Sequence, residues 1–199
     1  MKKLLTALLA AAPLLASGSP VAWNVDASRS QVGFAVKHLF NSTVVGEFTK
    51  YAGAARLDDA DPARGSVEVT IDVNSLDTRI ADRDGHLRSP DFFDAARYPR
   101  ITFKSTRVAR AGKNALNVTG DLTLHGVTKP VTVTVTTSPE VKGLFGEKRR
   151  AFAGRARIGP EEFGLAWTRL FQASAADGDA VTIQLDLVLV KDAPKTAAK

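Results

Sequence analysis

Residues Leu122–Val135, with the sequence LTLHGVTKPVTVTV, decide the fold. This stretch predicts a strand, a tight turn at Gly126 and a second strand in which valine and threonine alternate. Val131, Val133 and Val135 point to one face and the threonines between them to the other, because successive side chains of a strand alternate. We therefore expect a sheet with one apolar and one polar face.

The same alternation recurs along almost the whole chain. Apolar residues occupy every second position in segments that begin at Val32, Val67, Leu116, Phe152 and Val181. Eight or so strands at hairpin spacing predict an all-β antiparallel barrel or sandwich, with one short helical insertion. Inward-facing glycines at positions 46, 120 and 154 favour the barrel, because they permit bends and leave internal room.

Segment 74–100 interrupts the strand pattern with dense charge. Asp82 and Asp84 are placed to start a short helix that runs through Leu87. Two carboxylates on one short helix are weak evidence for catalysis. We interpret the charges between Asp82 and Asp94 as a salt-bridge network that anchors this connection.

The first residues have the layout of a secretory signal. A basic start, Met1-Lys2-Lys3, precedes a short apolar run and then small residues at 16–19. The run is shorter than the roughly 20 residues needed for a permanent membrane anchor. We predict a cleaved signal peptide over 1–18, one barrel domain over 19–192 and a disordered polar tail over 193–199.

Composition excludes several classes of site. The sequence contains no cysteine, which rules out disulfides, thiol catalysis and thiolate metal sites. The formal net charge is +6, and the basic residues are scattered apart from one group at 148–150. Nucleic-acid binding would require a basic stripe interleaved with aromatic residues, so no nucleic-acid partner is predicted. A weak attraction to anionic membrane surfaces and an ordinary basic surface both remain open.

Several motifs follow one another in order. They are SxVxFxVxH over 30–38, GxF over 46–48, RDGHL over 83–87, DFFD over 91–94, YPxITFxST over 98–106 and GDLTLHGVT over 120–128. With these motifs, nearly the whole mature chain resembles the YceI-like family of periplasmic, lipocalin-like barrels. The resemblance implies an elongated apolar cavity for long-chain amphipathic lipids, notably polyisoprenoids and polyprenyl quinones. The family usually has a basic residue and an aspartate before Phe163-Gly164, where this chain has Glu161-Glu162, and this departure bears on head-group preference.

Inward-facing apolar residues are the candidates to line such a cavity. We predict that the lipid tail contacts Phe34, Val36, Phe48, Phe103, Leu124 and Phe152. Three aromatic residues in the long connections are placed to gate a cavity mouth, namely Phe92, Phe93 and Trp167. His38 ends an inward row and is placed to meet a polar head group. A barrel filled by its own side chains would show the same pattern, so both interpretations stay open at this point.

No catalytic or metal-binding residue is predicted. His38, His86 and His125 are far apart and lack the spacing of a zinc site, so we assign them structural hydrogen bonds. No cofactor is expected, and a polyprenyl lipid or quinone would be a bound ligand. Two alternatives remain: an enzyme that acts on the bound isoprenoid with His38 and Arg155, and a small outer-membrane barrel, because alternation does not show which face points outward.

The sequence therefore predicts a periplasmic carrier or store of an isoprenoid lipid. Its expected partner is that lipid, with transient contact with a membrane surface. Whether the protein forms a homodimer is left open by the sequence.

Overall fold

The computed structural model describes residues 19–38, 42–165 and 180–192, and only the backbone of residues 37, 38 and 42. The predicted signal peptide over 1–18 and tail over 193–199 lie outside these ranges, and both stay predictions. Among the described residues, no helix has the length and apolar character needed to cross a membrane.

The described part of the chain has twelve strands and one α-helix. The strands are β1 Val21–Val25, β2 Gln31–His38, β3 Ser42–Phe48, β4 Tyr51–Leu57, β5 Ser66–Asp72, β6 Leu76–Asp77, β7 Arg100–Arg110, β8 Ala115–Leu124, β9 Val127–Thr137, β10 Val141–Lys142, β11 Lys148–Ile158 and β12 Val181–Lys191. Helix α1 spans Ala81–Arg88 and has Asp82 and Asp84 in its first turn, as the sequence predicts.

Eight of these strands close into an antiparallel barrel. Neighbouring strands around the ring are β11, β9, β8, β7, β5, β4, β1 and β12, and β12 returns to β11 along ten paired residues. Strands β2 and β3 extend the wall beyond β1 and β4, because β12 pairs with β2 over Val181–Asp186 and with β1 over Leu189–Lys191. The predicted lipocalin-like barrel is confirmed.

The apolar rows face the barrel interior. The larger core cluster includes Val32, Phe34 and Leu122, and a smaller one is built on Trp23, Ala55 and Leu189. Alternate residues on the outside are polar, and Thr119 and Thr132 share a hydrogen bond there at 2.8 Å. The alternation did not show which way the apolar faces of the strands point, and in the structure they point into the barrel.

The predicted turn at Gly126 is confirmed as a two-residue hairpin loop. His125 and Gly126 have φ values of 51° and 75°, and Leu124 pairs with Val127 across the turn. Positive φ at both central positions matches the right-handed twist of the flanking strands. Gly126 also lies against the ring of Tyr98, where a Cβ would come 2.5 Å from the ring carbon Cε1.

Aromatic rings cover two of the three inward-facing glycines, Gly46 and Gly120, and leave no open space there. Phe34 pairs with Gly46 across β2 and β3, and its ring lies over the glycine. The ring of Phe103 covers Gly120 in the same way. The prediction of internal room was wrong at these two positions, because a large ring on the neighbouring strand fills the space that a missing side chain leaves.

Segment 78–99, which includes α1, packs across one end of the barrel. Its anchor is a hydrogen-bond cluster in place of the predicted salt bridges. The buried Asp84 carboxylate accepts hydrogen bonds from the backbone N–H and the hydroxyl of Thr78, at 2.9 and 2.5 Å. Arg83 donates to the hydroxyl and carbonyl oxygens of Thr78, at 2.8 and 2.9 Å. A buried carboxylate needs donors, and the backbone N–H and hydroxyl of Thr78 supply them.

Candidate ligand cavity

A cavity of about 260 Å³ lies inside the barrel. Every strand of the ring contributes to its wall, mainly through valine, leucine, isoleucine and phenylalanine side chains. This volume is close to the lower end of the roughly 300–1,000 Å³ typical of small-molecule sites. An apolar wall of this kind binds through desolvation of an apolar ligand rather than through specific polar contacts.

The charged groups of the wall lie at one end, which we call the charged end. It is formed by loop 58–65 between β4 and β5, the turn 111–114 between β7 and β8, and the start of β11. The charged residues that line the cavity there are Arg56, Asp58, Asp59, Arg110, Lys113 and Arg150. An amphipathic ligand would therefore place its polar group at this end and its apolar part farther inside.

Arg150 is the central side chain of the charged end. Its guanidinium donates two hydrogen bonds to the Asp59 carboxylate, at 2.6 and 3.0 Å, and lies 5.5 Å from the ring centre of Trp23. Arg150 is only 12% exposed, whereas Asp59 is 75% exposed. Its Nε atom is buried and has no hydrogen-bond partner among the described residues. Arg150 thus has an unused donor beside the cavity wall.

Loop 58–65 is held to the barrel from two sides. Besides the pair with Arg150, the Arg110 guanidinium donates to the backbone carbonyl oxygens of Asp59 and Ala60, at 2.7 and 3.3 Å. Arg64 and Asp58 form an ion pair of 3.3 Å within the loop. Since Asp58, Asp59 and Pro62 also line the cavity, movement of this loop would change access to it.

The pair between Asp59 and Arg150 shifts the pKa of both groups. Hydrogen bonds from Arg150 hold the pKa of the Asp59 carboxyl below its usual range, and the charges of Arg150, Lys191 and Arg110 act in the same direction. The same hydrogen bonds raise the pKa of Arg150. Both side chains are therefore ionised at neutral pH, so the loop is held by a charged pair.

Opposite the charged end, aromatic rings close the cavity. The ring centres of Phe34 and Phe48 are 5.8 Å apart, those of Phe48 and Phe93 are 6.4 Å apart, and those of Phe92 and Phe93 are 4.8 Å apart. Phe93 reaches the cavity wall, whereas Phe92 packs behind it and is 1% exposed. Near this end His125 lies 4.7 Å from the ring centre of Tyr98, and its Nδ1 is 3.3 Å from the Phe163 carbonyl oxygen.

Most of the residues predicted to contact the lipid tail meet at this cavity. Those that line it are Phe34, Phe48, Phe103, Leu124 and Phe152. Val36 and Phe92 lie in the adjacent core and do not reach the wall. His38 is the last residue of β2, where its backbone pairs with Ser42, and its side chain is outside the described part. Trp167 also lies outside the described residues.

Arg150 and Asp59 line the cavity although the sequence did not predict it, and Phe93, predicted to gate a cavity mouth, lies in the cavity wall. Arg150 continues the inward row of Phe152, Gly154, Ala156 and Ile158, so strand alternation already held the signal for it. Asp59 lies in a loop, where no periodicity predicts direction. Phe92 and Phe93 are adjacent in an irregular segment, and sequence alone does not distinguish which ring faces inward.

A closed eight-stranded antiparallel barrel around an apolar cavity, charged at one end, places this protein in the class of lipocalin-like barrels. The YceI-like domain matches residues 23–189, and the chain belongs to that family.

Several known proteins are similar to this chain in sequence or in fold. Protein YceI of Escherichia coli is 40% identical over 169 residues, which cover 83% of this chain and 88% of that protein. The crystal structure of Burkholderia cenocepacia BcnA has a TM-score of 0.73 and 34% identity, covering 82% of this chain and 98% of that chain. A polyisoprenoid binding domain from Saccharophagus degradans, implicated in plant cell wall breakdown, has a TM-score of 0.63 and 20% identity, covering 86% and 99% of the two chains.

Proposed function

We propose that this protein binds a long-chain amphipathic lipid, a polyisoprenoid or a polyprenyl quinone, inside the barrel and carries or stores it in the periplasm. The observation that carries the proposal is the apolar cavity with charged groups at one end only. Each buried methylene contributes about 0.8 kcal/mol, so an apolar tail supplies most of the driving force. The polar head group would remain at the charged end, beside Arg150.

A likeness in fold supports the ligand class, because the Saccharophagus degradans domain with a similar fold is a polyisoprenoid binding domain. The periplasmic location rests on the predicted signal peptide over 1–18, whose removal would release the mature barrel outside the cytoplasm.

We propose binding rather than turnover. Arg155, considered above as a partner of His38 in an enzyme, lies on the outer face of β11 and is exposed. It pairs with Thr134 and Gln184, and none of these three residues lines the cavity. Among the described residues, no cluster of three or more histidine, aspartate or glutamate side chains is placed to hold a metal ion.

The first experiment is native mass spectrometry of the purified mature protein, followed by organic extraction and lipid identification. One polyprenyl lipid or quinone per chain is the expected result. An apo mass that stays unchanged when ubiquinone or a polyprenol is offered would overturn the proposal, whereas the fold assignment would stand.

A pair of variants tests whether the cavity is the binding site. Val133 is buried and lines the cavity, whereas the adjacent Thr132 is exposed on the outer face. Val133→Trp should fill the cavity and reduce lipid uptake at least tenfold. Thr132→Trp adds the same ring outside the barrel and should leave uptake unchanged. Equal uptake by the two variants would place the lipid elsewhere.

A further inference from the structure

The hairpin between β10 and β11 exposes two large apolar side chains at its tip. Leu144 is 97% exposed and Phe145 is 94% exposed. Val141, at the base of the same hairpin, is 55% exposed. Three of the five exposed large hydrophobic residues in the described ranges therefore lie within five consecutive positions. Single exposed apolar residues are ordinary, but a concentration of them on a projecting element indicates an interaction surface.

The tip has a defined conformation. The Gly143 N–H donates to the Glu147 carbonyl oxygen at 2.7 Å, and the Gly146 N–H donates to the Gly143 carbonyl oxygen at 3.1 Å. The Glu147 carboxylate accepts a hydrogen bond of 3.0 Å from the Phe145 N–H. Gly146 has a φ of 85°, a conformation that favours glycine. The turn thus presents Leu144 and Phe145 outward instead of folding them against the barrel.

The hairpin projects from the charged end of the barrel. Strand β9 ends its pairing with β11 at Thr137 and Phe152, and residues 138–147 continue beyond this point. Arg150, which lines the cavity and holds Asp59, lies three residues after Glu147. The apolar tip and the charged end of the cavity are therefore on the same side of the molecule.

The hairpin that carries the tip is basic. Residues 140–150 include Lys142, Lys148, Arg149 and Arg150 against Glu140 and Glu147, an excess of two positive charges. Glu140 forms ion pairs with Lys148 and Lys191, at 2.7 and 3.8 Å, and Glu147 pairs with Arg149. The apolar tip is therefore flanked by lysine and arginine side chains, and its own hairpin has a net positive charge.

We propose that Leu144 and Phe145 insert into the interface of an anionic lipid bilayer and dock the charged end of the barrel on the membrane. Apolar and aromatic side chains flanked by lysine and arginine suit this interface, where the rings enter the acyl boundary and the cations contact lipid phosphates. A second copy of the chain fits less well. Two side chains supply far less than the roughly 800 Å² per partner of a standard protein interface.

Vesicle flotation with the mature protein tests the proposal. Wild type should float with vesicles of mixed phosphatidylglycerol and phosphatidylcholine, and more weakly with phosphatidylcholine alone or at high salt. The double variant Leu144→Ser with Phe145→Ser should reduce binding to the anionic vesicles at least tenfold. Val45→Ser is the matched control, because Val45 is 60% exposed on the barrel wall, and it should bind as wild type does.

A single-site label gives a second measurement. The chain has no cysteine, so Leu144→Cys and Val45→Cys can each be labelled with an environment-sensitive fluorophore. Anionic vesicles should increase the emission of the label at position 144 and leave that at position 45 unchanged.

Three outcomes would overturn the proposal: no binding of wild type to anionic vesicles, equal binding of the double variant, or self-association through the tip without vesicle binding. Native mass spectrometry of the same samples reports the lipid bound in the cavity. A failure of membrane docking is thereby distinguished from a failure of lipid binding.

Discussion

Asp59 and Arg150 are 91 residues apart in the sequence and share two hydrogen bonds, of 2.6 and 3.0 Å, across the charged end of the barrel. The pair joins loop 58–65 to the first residues of β11. Both side chains also line the cavity. An interaction that closes a loop against the cavity wall is expected to control how fast a ligand enters and leaves.

Replacing Asp59 should therefore speed up ligand release. Asp59→Asn keeps the shape of the side chain and removes the charged pair, whose contribution is at most about 1 kcal/mol because Asp59 is largely exposed. We expect release of bound quinone to accelerate by up to about fivefold, which corresponds to that energy. Transfer of quinone from the protein to acceptor vesicles measures the rate.

Glu68→Gln is the matched control for this prediction. Glu68 and Lys104 form an ion pair of 3.1 Å on the outer wall, where both side chains are exposed. The variant therefore also removes one negative charge, but from a pair that does not line the cavity. Its release rate should equal that of wild type. Equal acceleration in the two variants would show that net charge, and not the loop contact, sets the rate.

The same pair predicts the pH dependence of release. Arg150 lowers the pKa of Asp59 in the folded protein, so the stabilisation from ionised Asp59 is complete above the ordinary aspartate value of about 3.9. It is lost as pH falls through the lowered pKa. Release should therefore be constant between about pH 6 and 8 and accelerate below about pH 4. Release from Asp59→Asn should not accelerate in this way at acid pH. The same acceleration in the variant would contradict the assignment of the acid effect to Asp59.

Alternation of side chains predicted the barrel because every strand of the ring buries one face and exposes the other. It does not predict the facing of residues beyond a point where the backbone departs from that period. The register between β7 and β8 shifts between Ser105 and Arg107, so the inward row that contains Phe103 continues at Val108 and Arg110. A bulge adds one residue and reverses the facing of all residues after it. No pattern in the sequence marks that position.

The charged end is built by contacts between segments that are far apart in the sequence, and this limited its prediction. Arg150 could have been assigned to the cavity from the row of Phe152 and Ala156, but its partner Asp59 lies in a loop 91 residues away. Local periodicity carries no information on such a pair. A different reason applies to Thr78 and Asp84, which are close in sequence. The predicted salt bridges considered only charged partners and overlooked a hydroxyl and a backbone N–H.

Replacement by alanine should have opposite effects on stability at two glycines, Gly46, which lies against the Phe34 ring, and Gly85. A Cβ at position 46 would lie 2.8 Å from Cε1 of Phe34 and 2.9 Å from Cγ2 of Thr78, so Gly46→Ala should lower the free energy of unfolding by about 1–3 kcal/mol. A Cβ at Gly85, in α1, would meet nothing within 4 Å. Gly85→Ala should therefore raise the free energy of unfolding by about 0.5–1 kcal/mol, because alanine favours the helix.

Urea denaturation of both variants measures these changes. The variant Phe34→Leu, combined with Gly46→Ala, separates the ring contact from other effects of the substitution. If the methyl group clashes with the ring, the double variant should be more stable than the sum of the two single changes predicts, with a coupling of about 1 kcal/mol. Additive losses would mean that Phe34 moves freely away from Gly46. In that case the ring does not limit the cavity, and a longer lipid tail could displace it without a loss of stability.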